Sequence, residues 1–176
     1  MRSQPGVASS NLTGPIFPMQ TNIKTFLEKN NINYTLYTHQ AVFSCEESEI
    51  HCKHVPGIAG KNLFLKEGEQ YFLVILPCKK KLNMKALAPL LQVKKLSFAS
   101  EEELQRMLGV TPGSVSILGL INDKEHKVQL ILDKELWDAQ TVNFHPNINT
   151  ESLAFEQESF HTLVKILCPE YKIKEC

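Results

Sequence analysis

Residues 57–76 read GIAGKNLFLKEGEQYFLVIL, two apolar runs joined by the polar stretch KEGEQ. A short polar loop containing Gly68 between two such runs predicts a buried antiparallel β-hairpin. An ammonium and an amide, Lys61 and Asn62, stand at the mouth of that hairpin. They are either solvated edge residues or side chains aimed into a pocket, and the rest of the chain bears on the choice.

On the N-terminal side, residues 22–31 place Ile23, Phe26 and Leu27 at helical spacing, stopped by Asn30 and Asn31. Residues 34–39 are β-branched and aromatic and read as a strand. Residues 44–54 begin with Ser44 ahead of acidic residues, a helix start that must end before Pro56. Beyond the hairpin, residues 82–93 are helical in pattern with Pro89 as a break or kink, and 95–99 form a short strand. Residues 100–109 carry a capping box, Ser100 with Glu103, and a glycine stop at Gly109. The apolar runs 115–121 and 128–133 read as strands around the turn NDKEHK. Residues 141–146 and 151–156 read as further strands, and 158–167 as a closing helix. The expected architecture is a single α+β domain over residues 21–168, a mixed, mostly antiparallel sheet with helices packed beside it. Residues 1–20, rich in Pro, Gly, Ser and Asn, read as a flexible lead-in, and 169–176 as a C-terminal tail.

The 176 residues carry a formal net charge of zero, which excludes a broad basic face for nucleic acid and leaves room for a local contact. Lys79, Lys80 and Lys81 are candidates for a phosphate contact. The five cysteines (45, 52, 78, 168 and 176) form no CxxC pair, which argues for reduced thiols in a cytosolic setting. Cys45, His51, Cys52 and His54 fit no standard zinc spacing, and no metal or cofactor is expected. No segment is apolar for long enough to span a bilayer, and the first residues lack a signal-peptide core. The NLT at Asn11 is treated as a chance sequon.

Several stretches line up in order: YTHQAVFSCEE (37–47), GKNLFLK (60–66), LSFASEEELQRMLGVTPGSVSILGLIND (96–123), VQLILDKELW (128–137) and HPNINT (145–150). As a set they resemble the YbaK/ProX family of trans-editing aminoacyl-tRNA deacylases, closest to the ProX branch of prolyl-tRNA synthetase associated domains. The resemblance covers residues 21–168. It implies an enzyme that hydrolyses the ester of a mischarged tRNA, alanyl-tRNA for proline above all, in the manner of a second sieve. The implied partners are the aminoacylated acceptor end and, transiently, prolyl-tRNA synthetase. Neither a membrane nor DNA is an expected partner, and the expected location is the cytoplasm.

By the same resemblance Lys61 matches the family's essential lysine, and its ammonium can stabilise oxyanion charge in ester hydrolysis. Asn62 follows as the substrate-positioning amide. Gly109, Pro112 and Gly113 match a glycine-and-proline loop expected to wall the amino-acid pocket. His145, Asn149 and Thr150 match the family's HP…NT segment, with His145 orienting a pocket amide or the substrate's amino group. Where the branch carries Pro-Phe-Gly, this chain has Ile117, Leu118 and Gly119, which puts the pocket's shape in question. The alternative is a non-catalytic binding module of the same fold. Whether Lys61 faces a cleft or solvent separates the two.

Overall fold

A computed structural model describes residues 21–176, so the expected lead-in and the Asn11 sequon lie outside the described residues. The elements run α1 (Thr21–Lys29), β1 (Thr35–Thr38), α2 (Cys45–His51), β2 (Ile58–Glu67), β3 (Gln70–Pro77), α3 (Met84–Leu90), β4 (Ser97–Phe98) and α4 (Glu101–Leu108). A 3₁₀ helix (Ile117–Asn122) follows, then β5 (Val128–Asp133), α5 (Lys134–Asp138), β6 (Thr141–Phe144), β7 (Glu151–Glu156), α6 (Gln157–Leu167) and β8 (Lys172–Lys174). The strands form one mixed sheet in the order β1-β7-β6-β2-β3-β5-β8, with β4 also on β2. The β1–β7, β6–β7, β2–β3 and β2–β4 pairs are antiparallel, and β2–β6, β3–β5 and β5–β8 are parallel.

The hairpin is the axis of this sheet. β2 and β3 stay in register from Gly60 opposite Pro77 to Glu67 opposite Gln70. Tyr71, Leu73 and Ile75 face one core with Leu130 and Leu132, where Leu108, Phe160 and Leu163 cover the sheet. Phe72, Val74 and Leu76 face the other, with Leu87, Leu91 and Leu96. Burial on both faces is why the run YFLVIL has no polar alternation.

The other edge of β2 changes partner along its length. It pairs with β6 at Ile58 and Ala59, then with β4 at Leu65 and Lys66. Between these points, at residues 60–63, the sheet is split on that side, and the Phe64 carbonyl already accepts from Ala99 N–H at 3.1 Å. Gly60 is required at the start of the split, because a Cβ there would lie 2.1 Å from the Phe144 ring, well inside contact distance.

The capping box of α4 forms as expected: Ser100 Oγ accepts from Glu103 N–H, the Glu103 carboxylate accepts from Ser100 N–H, and Gly109 takes the left-handed cap at φ 66°. Glu103 also accepts from Lys66 Nζ at 2.6 Å and from Tyr71 Oη at 3.0 Å, tying α4 to the hairpin. These donors, Lys66 first, hold its carboxyl down at about 2 against an ordinary 4.5. A carboxyl depressed on folding stabilises the fold above its unfolded pKa and loses that contribution as pH falls from 4.5 toward 2. Glu103→Gln should therefore be less stable than the wild type at neutral pH in urea denaturation, and the gap should close progressively below pH 4.5. A gap that does not change with pH would refute this account.

Three expectations are corrected. Residues 115–121 are not a strand: Ser116 Oγ accepts from Leu118 N–H, and Asn62 Oδ1 accepts from Ile117 N–H, so the backbone turns into the 3₁₀ helix. The run is apolar because Ile117, Leu118 and Leu120 are core residues. The stretch after residue 168 is docked rather than a loose tail, with β8 on β5 and Cys176 N–H on Asp133 Oδ2 at 2.9 Å. The thiols are not all reduced: Cys45 and Cys78 form a disulfide, while Cys52, Cys168 and Cys176 are free. The two partners are 33 residues apart in sequence, and only the fold brings their Cα atoms to 5.6 Å.

Candidate active site

The split in the sheet opens into a cavity of about 260 Å³. Its floor is Ala59, Gly60, Lys61 and Asn62 of β2. Asn143, Phe144 and His145 come from the end of β6, and Cys45 and Ser48 from α2. Val115 and Gly113 close the side toward α4. Successive side chains on a strand point to opposite faces. Lys61 therefore shares the face of Leu63, toward α3, and Asn62 shares the face of Phe64, toward the 3₁₀ helix. Both reach the cavity because β2 has a free edge there.

Lys61 lines the cavity and is half-buried rather than splayed into solvent. Its Nζ donates to the Cys78 carbonyl at 3.1 Å and to the Lys80 carbonyl. An ammonium has three N–H donors, so two anchor it and one is left for a ligand. Burial lowers its pKa, with Glu46 opposing that shift and Lys81 adding to it. The loop bearing both carbonyls is itself anchored, since Lys80 Nζ donates to Asp133 at 2.8 and 2.9 Å. Lys80 is thus committed to Asp133, and Lys79 pairs with Glu49 at 3.5 Å on the exposed surface. Of the three lysines considered for phosphate, Lys81 alone has no ion pair among the described residues.

Asn62 spends its carbonyl oxygen on Ile117 N–H at 3.0 Å, and its Nδ2 reaches the Gly60 carbonyl only at 3.4 Å. Its carbonyl holds the 3₁₀ helix against β2, and its amide N–H is what it can offer a ligand. His145 stands in the cavity wall with its Nδ1 shut off from solvent and unpartnered. Burial pushes its pKa down to about 4, helped by neighbouring His39 and opposed by a hydrogen bond to the Val115 backbone. The ring is therefore a neutral imidazole at physiological pH.

The glycine-and-proline loop divides. Gly113 lines the cavity at φ 83°, whereas Gly109 is the cap of α4 and Pro112 lines a neighbouring groove with Phe98 and Leu104. Asn149 and Thr150 also stand behind the wall: their carbonyls accept from Val42 N–H and His39 N–H, both at 3.0 Å. Ile117 and Leu118 are in the core and do not line the cavity. Cys45, His51, Cys52 and His54 form no metal cluster, and no such group occurs among the described residues.

Sequence reasoning gave no role to His39 and Ser152. His39 Nδ1 lies 2.8 Å from the Gln40 carbonyl, so it carries the proton, and Nε2 accepts from Ser152 Oγ at 2.9 Å. Both residues are buried in the cavity wall. They are 113 residues apart and meet only through the β1–β7 register, which sets Tyr37 opposite Ser152. His39 does lie in one of the quoted stretches, but nothing in the sequence pairs it with Ser152.

A profile of the aminoacyl-tRNA editing domain matches residues 39–163. The prolyl-tRNA editing protein ProX of Acetoanaerobium sticklandii is 39% identical over 142 residues, 79% of this chain and 86% of the relative. The prolyl-tRNA synthetase associated domain-containing protein 1 of Danio rerio is 32% identical over 157 residues, 83% of this chain and 85% of the relative. A solved candidate trans-editing enzyme for prolyl tRNA synthetase superposes with a TM-score of 0.72 at 16% identity, covering 90% of this chain and 96% of that one. Among the described residues no helix is long and apolar enough to cross a membrane.

Proposed function

The chain belongs to the aminoacyl-tRNA editing domain family, and from that premise we propose that it is a trans-acting deacylase that hydrolyses alanyl-tRNA for proline. The observation that carries the reading is the anchored ammonium of Lys61 in a small cavity opened by the split sheet. The ester of an aminoacyl-tRNA is already activated, so water can attack its carbonyl without a metal. Attack places negative charge on the carbonyl oxygen, and the free N–H of Lys61 stabilises that charge as it develops. The Asn62 amide N–H holds the ester or sugar side of the substrate. The neutral ring of His145 walls the cavity without a positive charge, which would repel the substrate's ammonium. Gly113 and Phe144 bound the side-chain space, so small amino acids enter and larger ones do not.

With a formal net charge of zero, tRNA is held at the acceptor end, and transient contact with prolyl-tRNA synthetase would deliver it. The test is release of alanine from alanyl-tRNA for proline by the purified chain, with and without chelator, beside seryl-tRNA and other aminoacyl-tRNAs. Turnover that survives chelator is the expected result. No turnover on any of these esters would overturn the reading in favour of a binding module.

The pH dependence follows from the two shifted groups. His145 is neutral above about 4, so kcat/KM, corrected for uncatalysed hydrolysis, should show no inflexion near the ordinary 6.5 of histidine. Activity should fall on the alkaline side, as Lys61 loses its proton below the ordinary 10.5. An inflexion near 6.5 that disappears in His145→Gln would show that the ring titrates in the working range.

A further inference from the structure

We infer that the Cys45–Cys78 disulfide is a thiol–disulfide control site built into the wall of the cavity, and that its reduction releases α2 and weakens the site. The inference rests on the deacylase reading for its kinetic consequence and on geometry alone for its structural one. α2 has no buried residue, so apolar packing does little to hold it. The segment around it is fastened at its ends, by Val42 N–H on the Asn149 carbonyl and by buried Val55. In between, the disulfide joins the first residue of α2 to the residue after β3. The neighbouring Glu49–Lys79 ion pair is exposed at both ends and adds little.

Cys45, Ser48 and Cys78 line both the 260 Å³ cavity and a second one of about 350 Å³ on the far side of α2. The tethered helix thus borders both, beside Ala59 and Asn143. Cys78 also supplies a carbonyl that anchors Lys61 Nζ, so the bond bears on the wall and on the lysine together. Both sulfur-bearing residues are partly exposed, within reach of a small dithiol. The step is ordinary exchange: a thiolate attacks one sulfur, a mixed disulfide forms, and the second thiol of the reductant resolves it. Two protein thiols form, and the dithiol leaves as its cyclic disulfide, two electrons and two protons having moved to the protein. Released, α2 no longer closes the cavity, and a small aminoacyl group loses part of its contact.

The test compares the oxidised chain with the chain reduced by dithiothreitol and freed of reductant. Alkylation should count three thiols in the oxidised form and five in the reduced. We expect kcat/KM for alanyl-tRNA to fall about tenfold on reduction and to return on reoxidation. Cys45→Ser and Cys78→Ser should sit at the reduced level and ignore dithiothreitol. Amide exchange over residues 43–52 should quicken on reduction while β3 and β5 stay protected. Five alkylatable thiols after oxidation, or equal kinetics and equal exchange in the two forms, would overturn the inference. Absence of turnover in both forms would sink the deacylase reading alone. Exchange over residues 43–52 then decides the tether, an increase supporting it and no change overturning it.

Discussion

Lys61→Ala should lower kcat/KM for alanyl-tRNA by about 10²–10³-fold, the usual loss when one preorganised oxyanion donor is removed. The cause is positional as much as electrostatic. The Cys78 and Lys80 carbonyls fix the ammonium in place before substrate arrives, so no reorganisation is needed as charge develops. Burial adds to the effect by strengthening the interaction with the oxyanion, the same burial that lowers the lysine's pKa. Lys61→Arg should not restore activity, since a planar guanidinium cannot satisfy two carbonyls and a substrate oxygen from one tetrahedral centre. Folding should change little, because the two carbonyls belong to a partly exposed loop where water can replace the lysine. The measurement is single-turnover deacylation beside a thermal melt. A folded Lys61→Ala with turnover within about threefold of wild type would remove the ammonium from the chemistry. The Ser152–His39 pair would then be the next group to test in the cavity.

The hairpin, the capping box at Ser100 and Glu103, and the helix stop at Gly109 were readable because each is a local pattern with a local cause. Residues 115–121 misled because a short, wholly apolar run looks the same as a buried strand and as a buried 3₁₀ turn. The deciding groups, Ser116 Oγ and Asn62 Oδ1, act through hydrogen bonds that no periodicity reveals. That Lys61 would face a cavity was legible only by resemblance, since Lys-Asn before a strand is also an ordinary edge feature. Its setting was not legible at all. Adjacent residues on a strand face apart, and only the change of partner on β2, from β6 to β4, lets both Lys61 and Asn62 reach one cavity. His39 with Ser152 and Cys45 with Cys78 are products of strand register over long sequence separations. Gly109, Pro112, Asn149 and Thr150 illustrate the reverse: a motif marks the neighbourhood of the cavity but does not say which of its residues reach the wall.

The largest effect on stability should come from Asp133, which looks unremarkable in the sequence as the last residue of an apolar strand. Its side chain is fully buried, and its two oxygens accept from Lys80 Nζ, Glu135 N–H and Cys176 N–H. It therefore caps α5, pins the C-terminal residue and neutralises an ammonium, all from one position. Asp133→Ala leaves two backbone donors without their partner and the Lys80 ammonium with only the exposed Glu135 carboxylate at 3.4 Å. Breaking a buried pair in this way costs about 3–5 kcal/mol, and the lower end is expected because Lys80 keeps about a third of its side-chain surface in solvent. Urea denaturation should show the loss as a lower midpoint with an unchanged slope. Asp133→Asn keeps one oxygen as an acceptor and should lose less, which separates the cap from the charge. The change should also reach the cavity. The Lys80 carbonyl is one of the two groups that hold Lys61, so freeing the Lys80 side chain loosens the loop that aims the ammonium. In the fraction that remains folded, kcat should fall more than KM rises, because the substrate still meets the same walls while the oxyanion donor is misplaced. A variant that loses stability but keeps the wild-type kcat would confine Asp133 to the fold and show that the loop places Lys61 without the Lys80–Asp133 bond.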